Sequence, residues 1–509
     1  MFKDIQKQLL LKYPLLWNTK FVPMLIIGLL FHLIFFGLGY ADGTIDFSNK
    51  TNYDISTFSI LFGVLFCIIV IILWLVNYFK NNSLKSFYSK SKDALFYEWL
   101  QIFITCLLLI TFYLPFHFGK QLHQKSYFSL EETKKRCEII SSAEIFIDGS
   151  FAQPAIDSLA SGLIDSLGNK IVISNKDEIV DEYIRRQDDV YKDYIIFQGK
   201  KYNQYSLLNR NYFHFSVNSD REDSIQRIKV QNWLHSDNQR EVKNLMNAYL
   251  NIIKEHHLKT NLTPEKWFEI TYKNPDFEKF LYIKPYLIEH EADNWYNYSN
   301  IKFQPYTDDD NGKYSKYFFQ QNVLKQKYDI VSDAHTNPYF ENEMLLSFLY
   351  GALGLSLLIF SFRITTGKSW LIAIVSTGIL NIFYGIFSTF SGSGILYAYL
   401  ILFTIIGMII YFFWVYSNKK SIQLTRIILN MILWSFSAFI PIIYFLLIEA
   451  YKYKDYIYYD EIQNYYEDSF YIWLREHQLE MFSLNFIIIV IILFFLTKTI
   501  RNWKGLAEE

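Results

Sequence analysis

Residues capable of chemistry form few groups in this chain, and each group falls short of a working motif. Gly367-Lys368-Ser369 has the tail of a phosphate loop, whose glycine backbone and lysine cradle phosphates. Phe362 stands where the first glycine of that loop belongs. Thr307-Asp308-Asp309-Asp310-Asn311-Gly312 has the front of a calcium loop, in which alternate oxygens converge around a turning glycine. Its first ligand would be a threonine and its twelfth Phe318, not a bidentate glutamate. His256-His257 and Glu289-His290-Glu291 are the dense metal-type ligands, yet Asn294 holds the place of the second histidine of a zincin pair. Ser391-Gly392-Ser393-Gly394 lacks the first glycine of a nucleophile elbow. The plainer readings are an acidic surface turn, a histidine pair favoured as imidazolium by the dipole at a helix C-terminus, and a tight turn between apolar segments. No catalytic, cofactor-binding or metal-ligating residue is expected.

The elements around these groups are of two materials. The chain has 509 residues, 51% hydrophobic and 19% aromatic, with long charge-free runs on either side of a polar middle. A hydrocarbon core of roughly 30 Å needs about 20 apolar helical residues to cross it. Eight segments qualify: Phe21 to Tyr40, Thr57 to Asn77, Leu100 to Phe118, Leu345 to Phe362, Trp370 to Phe390, Ile395 to Tyr416, Ile427 to Ile448 and Met481 to Leu496. None contains Lys, Arg, Asp or Glu. The balance of Lys+Arg 49 against Asp+Glu 50 gives no basic field for nucleic acid, so none is expected as a partner.

Basic residues are retained on the cytoplasmic side of short loops. They gather in the leader (Lys3, Lys7, Lys12, Lys20), between the second and third spans (Lys80, Lys85, Lys90, Lys92) and between the fourth and fifth (Arg363, Lys368). They recur between the sixth and seventh (Lys419, Lys420, Arg426) and in the tail (Lys498, Arg501, Lys504). Glu449 to Glu480 carries eight acids against three bases and is expected outside. Both termini are then cytoplasmic, the first span is an uncleaved anchor, and the long insert faces outward.

The pattern predicts an α-helical polytopic membrane protein: eight transmembrane helices with a mainly helical α+β extracytoplasmic domain inserted between helices 3 and 4. Its parts are a cytoplasmic amphipathic leader (1–20), helices 1–3 (21–118), the extracytoplasmic domain (119–343), helices 4–7 (344–448), an acidic tyrosine-rich outer segment (449–480), and helix 8 with a cytoplasmic tail (481–509). In the leader, Phe2, Ile5 and Leu9 share a side. Ile462, Tyr466, Phe470 and Trp473 form a stripe suited to headgroup depth.

Within the insert, Ser129 and Glu132 predict a capping box that starts a helix running toward Ile145. Pro154 to Leu167 predicts a helix ended by Gly168, and a charged helix from Lys176 to Lys192 separates two short strands, Lys170 to Ser174 and Tyr194 to Gln198. The helix Asn238 to His257 has Val242, Leu245, Met246, Tyr249, Ile252 and Ile253 at helical spacing, and Thr263 caps another through Pro264. Cys67, Cys106 and Cys137 offer no disulfide pattern.

Inside the spans, the candidate polar residues are His32, Asn381, Asn430 and Asn485, with His117 at an edge. Ser347 with Gly351, Ala352 with Ser356, and Gly378 with Gly385 mark small faces suited to close helix packing. Lys85, Lys90 and Lys92 are the candidates for coupling to a cytoplasmic partner.

Lys12-Tyr13-Pro14-Leu15-Leu16-Trp17-Asn18-Thr19-Lys20, running into a span that ends Phe36-Gly37-Leu38-Gly39-Tyr40, resembles the start of uncharacterised multi-pass proteins of Bacteroidota, some found beside ABC transporter genes. The resemblance covers about the first 40 residues. It implies a bacterial inner-membrane subunit, in contact with the lipid bilayer and served by a separate cytoplasmic ATPase subunit. Three spans before the insert and five after it depart from a six-span exporter permease, and no functional residue carries over. The expected function is transport or export without catalytic turnover of its own. The alternatives are a receptor or sensor whose extracytoplasmic domain binds a ligand, and a membrane-embedded transferase using acids such as Glu289, Glu291 or Asp293.

Overall fold

The computed structural model describes residues 7–8, 11–48, 55–82, 93–147, 195–202, 208, 212–273, 320–392, 394–417, 423–452 and 469–502. Several expectations lie outside these residues: the helices at Pro154 to Leu167 and Lys176 to Lys192, the strand at Lys170 to Ser174, the Thr307 to Gly312 turn, the Glu289 to Asn294 cluster, and Lys85, Lys90 and Lys92. So do Phe2, Ile5 and Leu9 of the leader, and Ile462 and Tyr466.

In chain order the helices are α1 (Pro14–Thr19), α2 (Phe21–Asp42), α3 (Ser56–Asn82), α4 (Ala94–Ile110), α5 (Tyr113–Ser126), α6 (Leu130–Ala143), α7 (Asp220–His235), α8 (Gln239–Glu255) and α9 (Pro264–Phe268). They continue with α10 (Gln321–Thr336), α11 (Asn342–Ile364), α12 (Gly367–Ser391), α13 (Gly394–Ser417), α14 (Gln423–Ser435), α15 (Phe439–Lys452), α16 (Ser469–Glu476) and α17 (Gln478–Asn502). Among the described residues, six helices are each long and apolar enough to cross a membrane: α2, α3, α11, α12, α13 and α17. Two bent pairs, α4 with α5 and α14 with α15, bring the number to eight if each pair is one span. The chain is a helical, multi-pass membrane protein.

The segments expected as the third and seventh spans are therefore not continuous helices. They bend by 41° and 56° at their breaks. The cause is proline, which gives no N–H to the carbonyl four residues earlier and crowds it with its ring. Pro115 stands four residues after Thr111, and Pro441 four after Ser437. Pro23 repeats the spacing after Thr19, where α1 ends in the left-handed Lys20 before α2 begins.

The chain divides into two compact units: Met1–Gly39, Ile55–Gly119 and Tyr339–Glu509 form the first, Tyr40–Asp54 and Lys120–Pro338 the second. In the first, α4 packs along α11, with Trp99 Nε1 donating to Ser356 Oγ at 3.2 Å and Ala352 fully buried. Glycine permits the closest approach nearby. A Cβ at Gly39 would lie 1.9 Å from the Phe116 carbonyl oxygen, so no larger residue fits without moving backbone. The Gly378 and Gly385 pair does not pack as expected, since nothing lies within 4 Å of a Cβ at either.

The second unit closes on a core of its own that includes Cys137, Phe146, Leu208, Tyr249, Trp267 and Tyr328. Ser129 caps α6 by accepting from the Glu132 amide at 3.2 Å, but the Glu132 carboxylate turns to Arg136 Nε at 2.6 Å. The reciprocal capping box lies instead at Ser219 and Glu222, at the start of α7. α6 stops at Ala143 and a 3-10 turn, Glu144–Phe146, carries the chain on. α8 follows its apolar face, with Asn238 accepting from the Glu241 amide, and Thr263 caps α9. The strand expected at Tyr194 to Gln198 is Ile195–Phe197, paired antiparallel with Lys200–Tyr202 across Gly199 at φ +74°.

Candidate functional site

Three helical segments of the first unit converge on a half-open cavity of about 200 Å³. α12 supplies Thr377, Asn381 and Tyr384, α13 supplies Thr404 and Met408, and the α14–α15 break brings Trp434, Ser435 and Ala438. Thr377 and Asn381 flank the middle of α12, Thr404 sits at the middle of α13, and the break halves the α14–α15 pair. The cavity is thus level with the midpoints of the segments that build it.

Most polar groups on its wall are already engaged. Asn381 Nδ2 donates to the Thr377 carbonyl at 2.8 Å, and Asn381 Oδ1 accepts from Tyr397 OH at 2.6 Å. Thr404 Oγ1 gives its proton to the Leu400 carbonyl at 2.7 Å, so the 2.5 Å contact with Tyr384 OH has tyrosine as donor. Ser435 donates to the Met431 carbonyl, and Trp434 Nε1 to Ser361 Oγ at 2.8 Å. Thr377 Oγ1 is the exception, a buried hydroxyl with no hydrogen-bond partner. An unpaired hydroxyl in such surroundings costs about 1–3 kcal/mol, which a ligand oxygen would relieve. None of the lining residues is Asp, Glu, Lys, Arg or His.

Of the four polar residues singled out from the sequence, only Asn381 lines this cavity. His32 Nε2 lies 2.8 Å from the Leu108 carbonyl and 3.3 Å from Thr111 Oγ1, at the break between α4 and α5. Asn430 is fully buried and accepts from Thr365 Oγ1 at 3.0 Å, while Asn485 Nδ2 donates to Tyr350 OH at 2.5 Å. These three sit in helix contacts. The cavity itself was missed in the sequence because Thr377, Tyr384 and Thr404 look like single polar residues in apolar runs. The signal that points to it is Pro441, opposite two hydroxyl-bearing spans.

The membrane helices also hold ionisable groups that the span boundaries excluded. α4 begins a turn and a half before Leu100, and α11 runs on to Ile364, so both Glu98 and Arg363 lie within helices at 2% exposure. Arg363 Nε is 3.3 Å from Glu98 Oε1, which also accepts from Tyr78 OH at 2.9 Å and Asn18 Nδ2 at 3.1 Å. Arg363 is therefore a buried ion-pair partner rather than a loop charge.

In the second unit, His256 corrects an expectation. It lies beneath the stacked ring of Phe47 with its Nε2 2.8 Å from Tyr328 OH, and burial holds its imidazole down at about 4. At neutral pH it is uncharged, so the helix dipole does not explain it; its exposed neighbour His257 turns the chain at φ 56°. Arg136 joins Glu132, Glu255 and Tyr328 OH. Burial pushes the Glu144 carboxyl up while the Lys325 ammonium 2.5 Å away pulls it down. His214 Nδ1 pairs with the buried Asp223, whose other oxygen accepts from Tyr212 OH and Asn218 Nδ2. Cys137 is buried, and its thiol is pushed up by burial, which leaves it unreactive. No group of three or more His, Cys, Asp or Glu among the described residues is arranged to hold a metal ion.

Comparison of the chain with protein-family models, with curated proteins and with solved structures finds no match.

Proposed function

We propose that this chain is the membrane-embedded subunit of a transport or export system, energised by a separate cytoplasmic ATPase. The observation that carries the reading is the cavity, apolar with a few polar side chains, at the broken α14–α15 span, level with the midpoints of α12 and α13. Substrate sites near the bilayer midplane are built in this way, from helices whose interruption frees backbone and side-chain groups beside a cavity. Irregular backbone at membrane depth is tolerated where it lines such a space.

In this reading the membrane is the bacterial inner membrane, both termini are cytoplasmic and the second unit faces outward, following the distribution of basic residues among the connections. The resemblance of the first 40 residues supports a partner ATPase. The basic segment containing Lys85, Lys90 and Lys92 is its contact.

The test is copurification from native membranes. An ATPase is expected with the unaltered chain and should be lost when Lys85, Lys90 and Lys92 are all changed to Glu, with membrane insertion retained. Recovery of the same ATPase with the triple variant would remove these lysines from the contact. No ATPase with either protein, or ATP hydrolysis by the purified chain alone, would overturn the proposal.

A further inference from the structure

We infer that the cavity between α12, α13 and the α14–α15 break takes an uncharged, mainly apolar molecule carrying a hydrogen-bond-accepting oxygen, as in a medium-chain alcohol. The inference deepens the transport reading, on which its meaning as a substrate class rests, but occupancy of the cavity is measured separately from any partner.

Three observations select this chemistry. First, the lining has no acid, base or histidine, and the cavity is level with the middle of its helices. A charged ligand at that depth would lack the counter-charge that intramembrane ions require. Second, the groups left to a ligand are two donors and one acceptor. Thr377 Oγ1 has its proton unspent, and Asn381 Nδ2 spends one of its two on the Thr377 carbonyl. Tyr384 OH, having given its proton to Thr404, retains lone pairs for a ligand hydroxyl proton. Third, most of the rest of the wall is apolar, with Leu380, Ile401, Ile405 and Ile442 joined by Trp434 and the adaptable Met408 and Met431. At about 200 Å³ the space is smaller than the roughly 300–1,000 Å³ of drug-sized sites, which suits a short chain with one polar end.

Photolabelling tests this with the full-length protein in phosphatidylcholine vesicles and octanol carrying a diazirine. Labelling of the 377–384 and 401–408 segments should saturate. It should be competed by octanol and not by octanoate or octylammonium. Thr377→Val should weaken saturable labelling by about 2- to 10-fold, the worth of one hydrogen bond, and Thr377→Ser should restore it. Ile382→Val, on the exposed side of α12, should leave it unchanged. Labelling that rises without saturation along the exposed sides of α12 and α13, equal competition by the charged analogues, or a Thr377→Val protein labelled like the unaltered one would each overturn the inference. Because ATPase copurification is read independently, such a result would leave the coupling proposal standing, and loss of the ATPase would leave this one standing.

Discussion

The two bent helix pairs differ in what meets the break. At α4–α5, neighbouring helices supply donors to the loosened carbonyls: His32 of α2 reaches Leu108 O, and Cys67 of α3 reaches Leu109 O at 2.9 Å. The Phe31 and Phe35 rings close on Phe112 in the same place, with the Phe116 ring beside Phe35. The earlier interruption at Thr19 is met likewise, with Trp74 Nε1 donating to the Thr19 carbonyl at 2.7 Å. At α14–α15 the side-chain donors come from the broken span itself, Ser435 to Met431 O and Ser437 to Trp434 O. Beside it is a cavity. One proline spacing therefore yields either a packed joint or an open one, depending on whether a neighbouring helix offers a donor and a ring at that depth.

The packed side should be the sensitive one. Its α4–α11 contact encloses the Glu98–Arg363 pair, and removing Glu98 takes from the buried Arg363 guanidinium a carboxylate 3.3 Å away. Glu98→Ala should cost about 3–5 kcal/mol, read as a large fall in the thermal midpoint of the detergent-solubilised protein. Joint replacement by Glu98→Leu and Arg363→Met should recover most of the loss, since apolar packing of similar volume often replaces such a pair at little cost. A Glu98→Ala protein as stable as the parent would mean that the packed side does not depend on this pair.

A smaller effect separates the joints directly. His32→Leu removes the donor to Leu108 O and should destabilise by about 1–3 kcal/mol, the cost of a buried carbonyl left unpaired. Ser437→Ala at the open joint should cost under about 1 kcal/mol, because the serine bonds only within its own turn, to the Trp434 carbonyl. Equal losses in a thermal melt would erase the distinction between the joints.

The sequence carries where the apolar helices lie, six of them continuous and two as bent pairs among the described residues, because length and absence of charge are properties of contiguous residues. It carries caps for the same reason: Ser129, Asn238 and Thr263 each act within four residues of themselves. What it hides is set by residues far apart. Glu98 meets Arg363 across 265 positions, and the neutral state of His256 follows from its burial and from the Arg136 guanidinium on a distant helix. The Ser129–Glu132 box formed only in part because Arg136 competes for the same carboxylate. The site is intermediate. Asn381 is visible as an amide in a span, and Pro441 marks the break, but only the fold shows that Thr377 and Thr404 share a level with it.

The smallest expected effect has the opposite sign and tests whether the open side is open along its length. α12 has 6% of its most apolar stretch buried, against 44% for α11. Nothing lies within 4 Å of a Cβ placed at Gly378. Glycine inside a helix costs roughly 0.5–1 kcal/mol relative to alanine through the freedom it loses on folding. With no neighbour to be displaced, Gly378→Ala should raise stability by up to about that amount. The same change at Gly63 places a Cβ 2.4 Å from Phe112 and 2.6 Å from Phe35, in the packed joint, and overpacking there should cost about 1–3 kcal/mol. A gain at Gly378 with a loss at Gly63, measured side by side in thermal melts, would extend the contrast between the joints to the helices around them. Destabilisation by Gly378→Ala instead would show that this side of α12 is covered in the membrane by a closely packed second helix, for which the small face at Gly378 and Gly385 has the right spacing.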